Sequence, residues 1–194
     1  MTNPIARPWR EIFCTTPPEF FEEYIKEGGN NLNFGCAGRL VGGWYNYDPN
    51  IHNVEGVTPH LPNWPDYFDT IVAWHSLEHI EGWRNLLQTV CKIHTILKPG
   101  GHFIAVCPHA QSTLAVGPPM HVQLFNELTW AYFTKKPFAV PGTMGHMAEE
   151  GEPVPDWELV KVGNFLMPNV TEEQTVMANY LWNVIQDTAA IFKK

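Results

Sequence analysis

The stretch Phe68-Asp69-Thr70-Ile71-Val72-Ala73-Trp74, the apolar positions Leu86, Leu87, Val90, Ile93, Ile96 and Leu97, and the run Lys98-Pro99-Gly100-Gly101-His102-Phe103 together decide the fold. Phe68 to Trp74 is apolar except for Asp69 and Thr70, the pattern of a parallel strand buried on both faces. The six apolar positions recur at helical spacing and Pro99-Gly100-Gly101 stops that helix. His102 to Cys107 predicts the next buried strand. Strand, helix, strand in that order implies a right-handed crossover, hence an α/β protein with a doubly wound, mostly parallel sheet.

On the N-terminal side, Thr16-Pro17-Pro18 opens a short helix with Phe20, Phe21, Tyr24 and Ile25 on its apolar face, ended by Gly28-Gly29. Leu32-Asn33-Phe34 reads as a strand running into the small-residue turn Gly35-Cys36-Ala37-Gly38, and Trp44 to Tyr47 as a second strand ending at Asp48-Pro49. Residues 50–66 read as a long loop with one short strand. On the C-terminal side the pattern predicts a helix near Phe125 to Phe133, a loop from Pro137 to Pro155 and a strand from Trp157 to Phe165. A final helix is expected from the capping box Thr171-Glu172-Glu173-Gln174, with Val176, Met177, Tyr180, Leu181, Val184, Ile185 and Phe192 on one stripe. That stripe completes the core or forms a homodimer interface.

The chain reads as one domain over residues 1–194, with a core over about 30–126 and a lid with the C-terminal strand and helix over 127–194. Apolar residues make up 44% and charged residues 16%, a globular composition and not a disordered one. Twenty acidic against 12 basic residues, with no basic run longer than Lys135-Lys136 or Lys193-Lys194, argue against a nucleic-acid partner, because neutralising phosphates needs a basic face. Met1 to Arg10 holds Pro4, Pro8 and two arginines where an export signal would be apolar, and no apolar run reaches membrane-spanning length. Cys14, Cys36, Cys91 and Cys107 are widely spaced with no C-x-x-C pair, so reduced thiols, no metal and a cytoplasmic location are expected.

In an open α/β sheet a nucleoside cofactor binds beyond the carboxyl ends of the strands, where a small-residue turn admits it and a carboxylate holds the ribose hydroxyls. Gly35-Cys36-Ala37-Gly38 and Asp48 supply both pieces, although an ordinary Asp-Pro turn is the alternative at Asp48.

Residues Phe68 to Ile80, with the segment Ser76-Leu77-Glu78-His79, followed by Ile96-Leu97-Lys98-Pro99-Gly100-Gly101, resemble paired signatures of class I S-adenosylmethionine-dependent methyltransferases of the type 11 kind. Gly43-Trp44-Tyr45-Asn46-Tyr47-Asp48, close behind the glycine turn, resembles a compact branch of that superfamily. The resemblance covers about residues 30–126. It implies a Rossmann-like fold with S-adenosyl-L-methionine as cofactor. It also implies that Gly35, Cys36 and Ala37 face the methionine part, Asp48 the ribose, and Trp74 and His75 the sulfonium region. Lys98 to Gly101 is then a structural turn, and Glu78 and His79 orient the loop that opens the following helix.

Three positions depart from the family pattern. Asn33 replaces the acidic residue before the first glycine, and Ala37 replaces the second glycine. No acidic side chain stands near Val57 to Leu61, which leaves Thr58 or a backbone carbonyl for the adenine amino group. Gly35 and Asp48 are only 13 positions apart (48 minus 35), so the first crossover helix is expected to be missing or reduced to a turn.

Methyl transfer needs alignment of donor and acceptor and exclusion of water, with a base where the acceptor carries a proton. His75, His109 and His121 are the candidates, His121 first because Pro119-Met120-His121-Val122 falls where a lid over the acceptor is expected; at each, a histidine held by local hydrogen bonds is the alternative. The acidic composition and aromatic-rich lid favour a small-molecule or glycan-type acceptor. The alternatives are a non-catalytic module of the same fold, or an enzyme using the same cofactor for lyase or aminopropyl-transfer chemistry.

Overall fold

The computed structural model describes residues 5–51, 55–134, 155–178 and 180–194. The expected loop from Pro137 to Pro155 therefore lies almost wholly outside the described residues. In chain order the elements are α1 (Trp9–Ile12), β1 (Asn31–Phe34), β2 (Tyr45–Tyr47), β3 (Val57–Thr58), β4 (Phe68–Trp74), α2 (Trp83–Ile96), β5 (Leu97–Pro108), α3 (Thr113–Val116), α4 (Glu127–Ala131), β6 (Glu158–Leu166), α5 (Glu172–Val176) and β7 (Ile185–Lys193). The strands form one seven-stranded sheet in the order β3-β2-β1-β4-β5-β7-β6. β1 to β5 run parallel, while β7 inserts antiparallel between β5 and β6. This is the doubly wound, mostly parallel, Rossmann-like α/β fold.

Side chains alternate across the central strands, so each face of the sheet builds its own core. Ile71 and Ala73 of β4, Phe103, Ala105 and Cys107 of β5, and Ala190 and Phe192 of β7 pack on one face with the buried stripe of α2. Val72 and Trp74, Ile104 and Val106, and Ala189 and Ile191 pack on the other with Trp9, Phe13, Phe20, Phe21 and Ile25. The segment after Pro17 is two turns of 3-10 helix, Pro18–Phe20 and Glu22–Tyr24, in place of one helix. Lys98 to Gly101 loops out of the ladder: the pairing with β4 passes from Phe68↔Leu97 to Thr70↔His102 across it.

The short first crossover is as expected. Residues 35–44 contain no helix and are braced instead by two buried asparagines. Asn33 Nδ2 donates to the Arg39 carbonyl (2.8 Å) and to Asn46 Oδ1 (3.0 Å), while Asn46 Oδ1 also accepts from the Val41 N–H (2.9 Å). Asn46 Nδ2 donates to the carbonyls of Val41 and Trp44. Side-chain amides thus satisfy backbone groups that a crossover helix would have satisfied itself.

The C-terminal region corrects the sequence reading. The capping box at Thr171 is present, with Gln174 N–H on Thr171 Oγ1 and Thr171 N–H on Gln174 Oε1, but its helix lasts only five residues. Asn183 then turns through a left-handed conformation (φ 59°), and Ile185 and Phe192, placed on the helical stripe by spacing, belong to β7 in mid-sheet. Among the described residues the expected long C-terminal helix does not form, so its stripe does not supply a dimer interface; Val176 ends α5, and Tyr180 and Trp182 on the turns before β7 are exposed with it. The helix expected over Phe125 to Phe133 is likewise confined to Glu127–Ala131.

Candidate active site

A cavity of about 830 Å³ opens at the carboxyl ends of β1, β2 and β4. Its floor is Phe34, Gly35 and Ala37 after β1, and Tyr47, Asp48, Asn50 and Ile51 after β2. His75, Ser76, His79, Ile80 and Glu81 come from the turn after β4, and Pro119, Met120 and Val122 from the segment after β5. Gly35 and Asp48 therefore meet in one site, as the sequence spacing requires.

Gly35 sits at φ 69°, and a Cβ there would lie 2.3 Å from Ser76 Cβ. Any side chain would separate the turns after β1 and β4, so glycine is required by close backbone approach. The Gly35 and Cys36 N–H groups both donate to the Tyr47 carbonyl (2.8 and 3.0 Å). Ala37, where the family has glycine, is held in the left-handed region at φ 45°. Its N–H donates to Asp48 Oδ2 (2.8 Å), and Asn50 N–H donates to Asp48 Oδ1 (2.9 Å). An ionised carboxylate has about four acceptor positions, and these two backbone donors take up two of them.

His75 also has a left-handed backbone (φ 50°), pinned by its N–H on the Val106 carbonyl (2.8 Å). That conformation is rare for a non-glycine residue and concentrates at functional sites. Its Nε2 lies 3.1 Å from Oδ1 of Asp187, a fully buried residue of β7. The sequence reading did not single out Asp187, having placed its segment on a helix.

The other expected site residues separate. Trp74 is corrected: its ring points to the opposite face of the sheet, 2% exposed, stacked on Phe13 at 5.1 Å and edge-on to Phe21 at 5.5 Å. Strand parity is the reason, since Trp74 follows Val72 onto the α1 face. Cys36 is buried and does not line the cavity; burial pushes its thiol up, and the nearby Asp48 charge adds to that. Thr58 donates its hydroxyl to the His60 carbonyl, and it is the Thr58 carbonyl that receives the Asp48 N–H (3.1 Å). His109 is a buried structural residue: Nδ1 accepts the Gln111 N–H and Nε2 lies 3.6 Å from Glu127. Burial holds its imidazole below the ordinary range, against the opposing pull of Glu127. His121 does not line the cavity itself but packs edge-on against His79, which does, with ring centroids 4.7 Å apart.

Cys107, buried on the same side of β5, has its thiol pushed well up, first by burial and then by the adjacent Glu78 carboxylate. All four cysteines are free. Among the described residues no helix is long and apolar enough to cross a membrane.

The profile of a methyltransferase-domain family matches residues 8–157, most of the chain. The protein belongs to that family; it is a methyltransferase, and S-adenosylmethionine is its methyl donor. Solved structures with the same fold include a SAM-dependent methyltransferase from Archaeoglobus fulgidus (16% identity, 91% of each chain covered, TM-score 0.53). Another is the 1,6-didemethyltoxoflavin-N1-methyltransferase of Burkholderia thailandensis, crystallised with 1,6-didemethyltoxoflavin and S-adenosylhomocysteine (12% identity, 96% of this chain and 80% of that one covered, TM-score 0.57). No curated protein matches the chain by sequence.

Proposed function

We propose that this methyltransferase acts, as a single domain in the cytoplasm, on a small-molecule or glycan-type acceptor, with His75 taking the acceptor's proton. The observation that carries the reading is the convergence of Gly35, Ala37, Asp48 and His75 on one cavity of about 830 Å³. That volume lies in the upper part of the ~300–1,000 Å³ range of small-ligand sites, which leaves room for a nucleoside donor and a modest acceptor together. The Burkholderia enzyme of this fold is named for an acceptor of the same small-molecule class.

S-adenosylmethionine supplies an activated methyl group on a sulfonium. The chain's task is to align, dehydrate and move one proton. Asp48, fixed by two backbone N–H groups, presents its remaining lone pairs to the ribose diol. Gly35 and Ala37 keep the floor low beside the methionine part. His75 is the favoured base of the three histidines proposed from sequence, because it lines the cavity and has a buried carboxylate beside Nε2. Asp187 stabilises the imidazolium as it forms, leaving Nδ1 to exchange the proton.

Isothermal titration with S-adenosylmethionine and S-adenosylhomocysteine tests the donor site. Asp48→Ala is expected to weaken both ligands at least about tenfold, or ~1.4 kcal/mol. Wild-type protein that takes up neither at millimolar concentration, or a variant that binds as tightly as wild type, overturns the assignment.

A further inference from the structure

Next to His79 of the cavity wall stands a buried carboxyl group that accepts no hydrogen bond from any described N–H or O–H group. Glu78, on the 3-10 turn Leu77–His79 after β4, is 1% exposed, and neither carboxylate oxygen has a hydrogen-bond partner. The Cys107 thiol stands beside its carboxylate, and His79 Nε2 lies 4.0 Å from Glu78 Oε1. An isolated buried carboxylate costs several kcal/mol, and such groups are found paired or bound to a cation. A second buried acid, Asp187, has its Oδ1 3.1 Å from His75 Nε2.

Two imidazoles converge on Glu78. One ligand atom each from Glu78, His79 and His121 lies within 4.8 Å of the other two. His79 Nδ1 is 3.3 Å from the Met120 carbonyl, which can only accept, and in the neutral tautomer that donates to it Nε2 has a lone pair for a metal. A ring N–H on a backbone carbonyl is the usual outer support of a metal-bound histidine. His121 Nδ1 is buried with no hydrogen-bond partner. The segment carrying His121 is already docked, for Val122 and Gln123 both donate their N–H to the Glu78 carbonyl (2.8 and 3.1 Å). Ligands ~2.1 Å from an ion stand about 3–4 Å apart, so the widest pair, within 4.8 Å, needs side-chain rotations that close it by about 1 Å.

We propose that Glu78, His79 and His121 bind one divalent transition-metal ion, and that the acceptor is an oxygen nucleophile that ligates it from the cavity. Two imidazoles and one carboxylate suit borderline ions such as zinc, manganese or iron(II) better than magnesium or calcium, and three protein ligands leave positions open on the cavity side of His79. There the ion acts as a Lewis acid on the acceptor hydroxyl. The acceptor O–H gives its proton to the base, its oxygen forms the bond to the methyl carbon, and the carbon–sulfur bond breaks with its electron pair left on a neutral thioether. No oxidant or reductant is needed. The acceptor half of this assignment rests on the methyltransferase reading above, whereas the metal site stands on its own geometry.

The test uses the full chain freed of metal with a chelator, then titrated with Zn²⁺, Mn²⁺ and Mg²⁺, with S-adenosylhomocysteine titrated in parallel. Wild type is expected to bind one equivalent of Zn²⁺ or Mn²⁺ more tightly than Mg²⁺, and Co²⁺ to give a visible absorption band from imidazole coordination. Glu78→Gln and His121→Asn should each weaken the metal at least about tenfold, while His60→Asn, at an exposed loop histidine, binds as wild type. Thermal melts identify any variant that fails to fold; His121→Asn, on a partly exposed loop, is then decisive. Absence of saturable one-to-one binding, or binding unchanged in the folded variants, overturns the site. Metal uptake without S-adenosylhomocysteine uptake refutes the donor site alone, and the reverse result refutes the metal site alone.

Discussion

Nε2 of His75 lies 3.1 Å from Oδ1 of Asp187, joining the turn after β4 to the antiparallel strand β7 two places away in the sheet. The contact crosses β5, whose Val106 carbonyl holds the His75 N–H. The backbone strain at His75 and the buried acid behind it are thus secured by the same central strands. Replacing His75 with Gln is expected to lower kcat by roughly 10²–10⁴, the usual worth of a positioned base, with S-adenosylhomocysteine affinity within a few-fold of wild type. Asp187→Asn should lower kcat in the same direction by a smaller factor, with the donor Kd again little changed. Steady-state kinetics and titration on the same preparations decide this. A kcat unaffected by His75→Gln removes His75 from the reaction.

Acid sensitivity should concentrate at Asp69, which interrupts the apolar run of β4. Its carboxylate is nearly buried and accepts from Lys26 Nζ (2.8 Å), Lys98 Nζ (2.7 Å) and the Asn30 N–H (3.0 Å). Burial alone would raise its pKa; the two lysines and the backbone donor outweigh that and bring it down to about 2. A carboxyl lowered by folding contributes stability above its unfolded pKa of ~3.9, and that contribution is lost as pH falls through the folded value. The difference in urea-unfolding free energy between wild type and Asp69→Asn should be roughly 1–2 kcal/mol at neutral pH, since both lysines are partly exposed, and shrink between about pH 4 and pH 2. A difference constant across that window contradicts the pairing.

Much of this arrangement was legible because the decisive segments obey a single periodicity. β4, α2 and β5 are a continuous apolar run, a 3.6-residue stripe and a second run, and all three elements form, with β5 starting already at Leu97, which the spacing places on the helix. Gly35 and Asp48 share a cavity for the same reason, each being the first residue past a short strand. Trp74 was not legible: a strand apolar on both faces does not reveal which residues point to which core. Nor was β7, whose Ala189-Ala190-Ile191-Phe192 is buried on both faces and shows no alternation, while Val176 to Phe192 happens to fit a helical stripe. Asp187 was hidden with it. Glu78, His79 and His121 form no short motif, because the third residue arrives from beyond β5.

Ala37 is a position where the family's glycine should improve the protein. At φ 45° an L-residue with a Cβ bears about 1–2 kcal/mol of strain, whereas glycine adopts this region freely and gives up about 0.4–1 kcal/mol through the flexibility it adds to the unfolded chain. Ala37→Gly is therefore expected to stabilise the fold by up to about 1 kcal/mol and to preserve or tighten donor binding, since the N–H to Asp48 is retained. Thermal melts and titration provide the check, and a clear drop in melting temperature would show that Ala37 is not strained.

Asn33 should behave in the opposite way, although it too departs from the family pattern. Where the superfamily carries an acid before the first glycine, this chain uses the Asn33 amide as a donor to both the Arg39 carbonyl and Asn46 Oδ1, inside a site that is 2% exposed. An aspartate there has the right shape and no hydrogens to give. It would place a carboxylate against two acceptors and free the turn that substitutes for the missing helix. Asn33→Asp is therefore expected to cost roughly 2–4 kcal/mol and to weaken donor binding by loosening the floor formed by Gly35 and Ala37. The loss should ease at low pH, where a protonated aspartic acid regains one donor. Denaturant unfolding at neutral and acidic pH reads both effects. A variant as stable as wild type at neutral pH would mean that the asparagine pair does not hold the crossover, and that this chain shortens its first βα unit by other means.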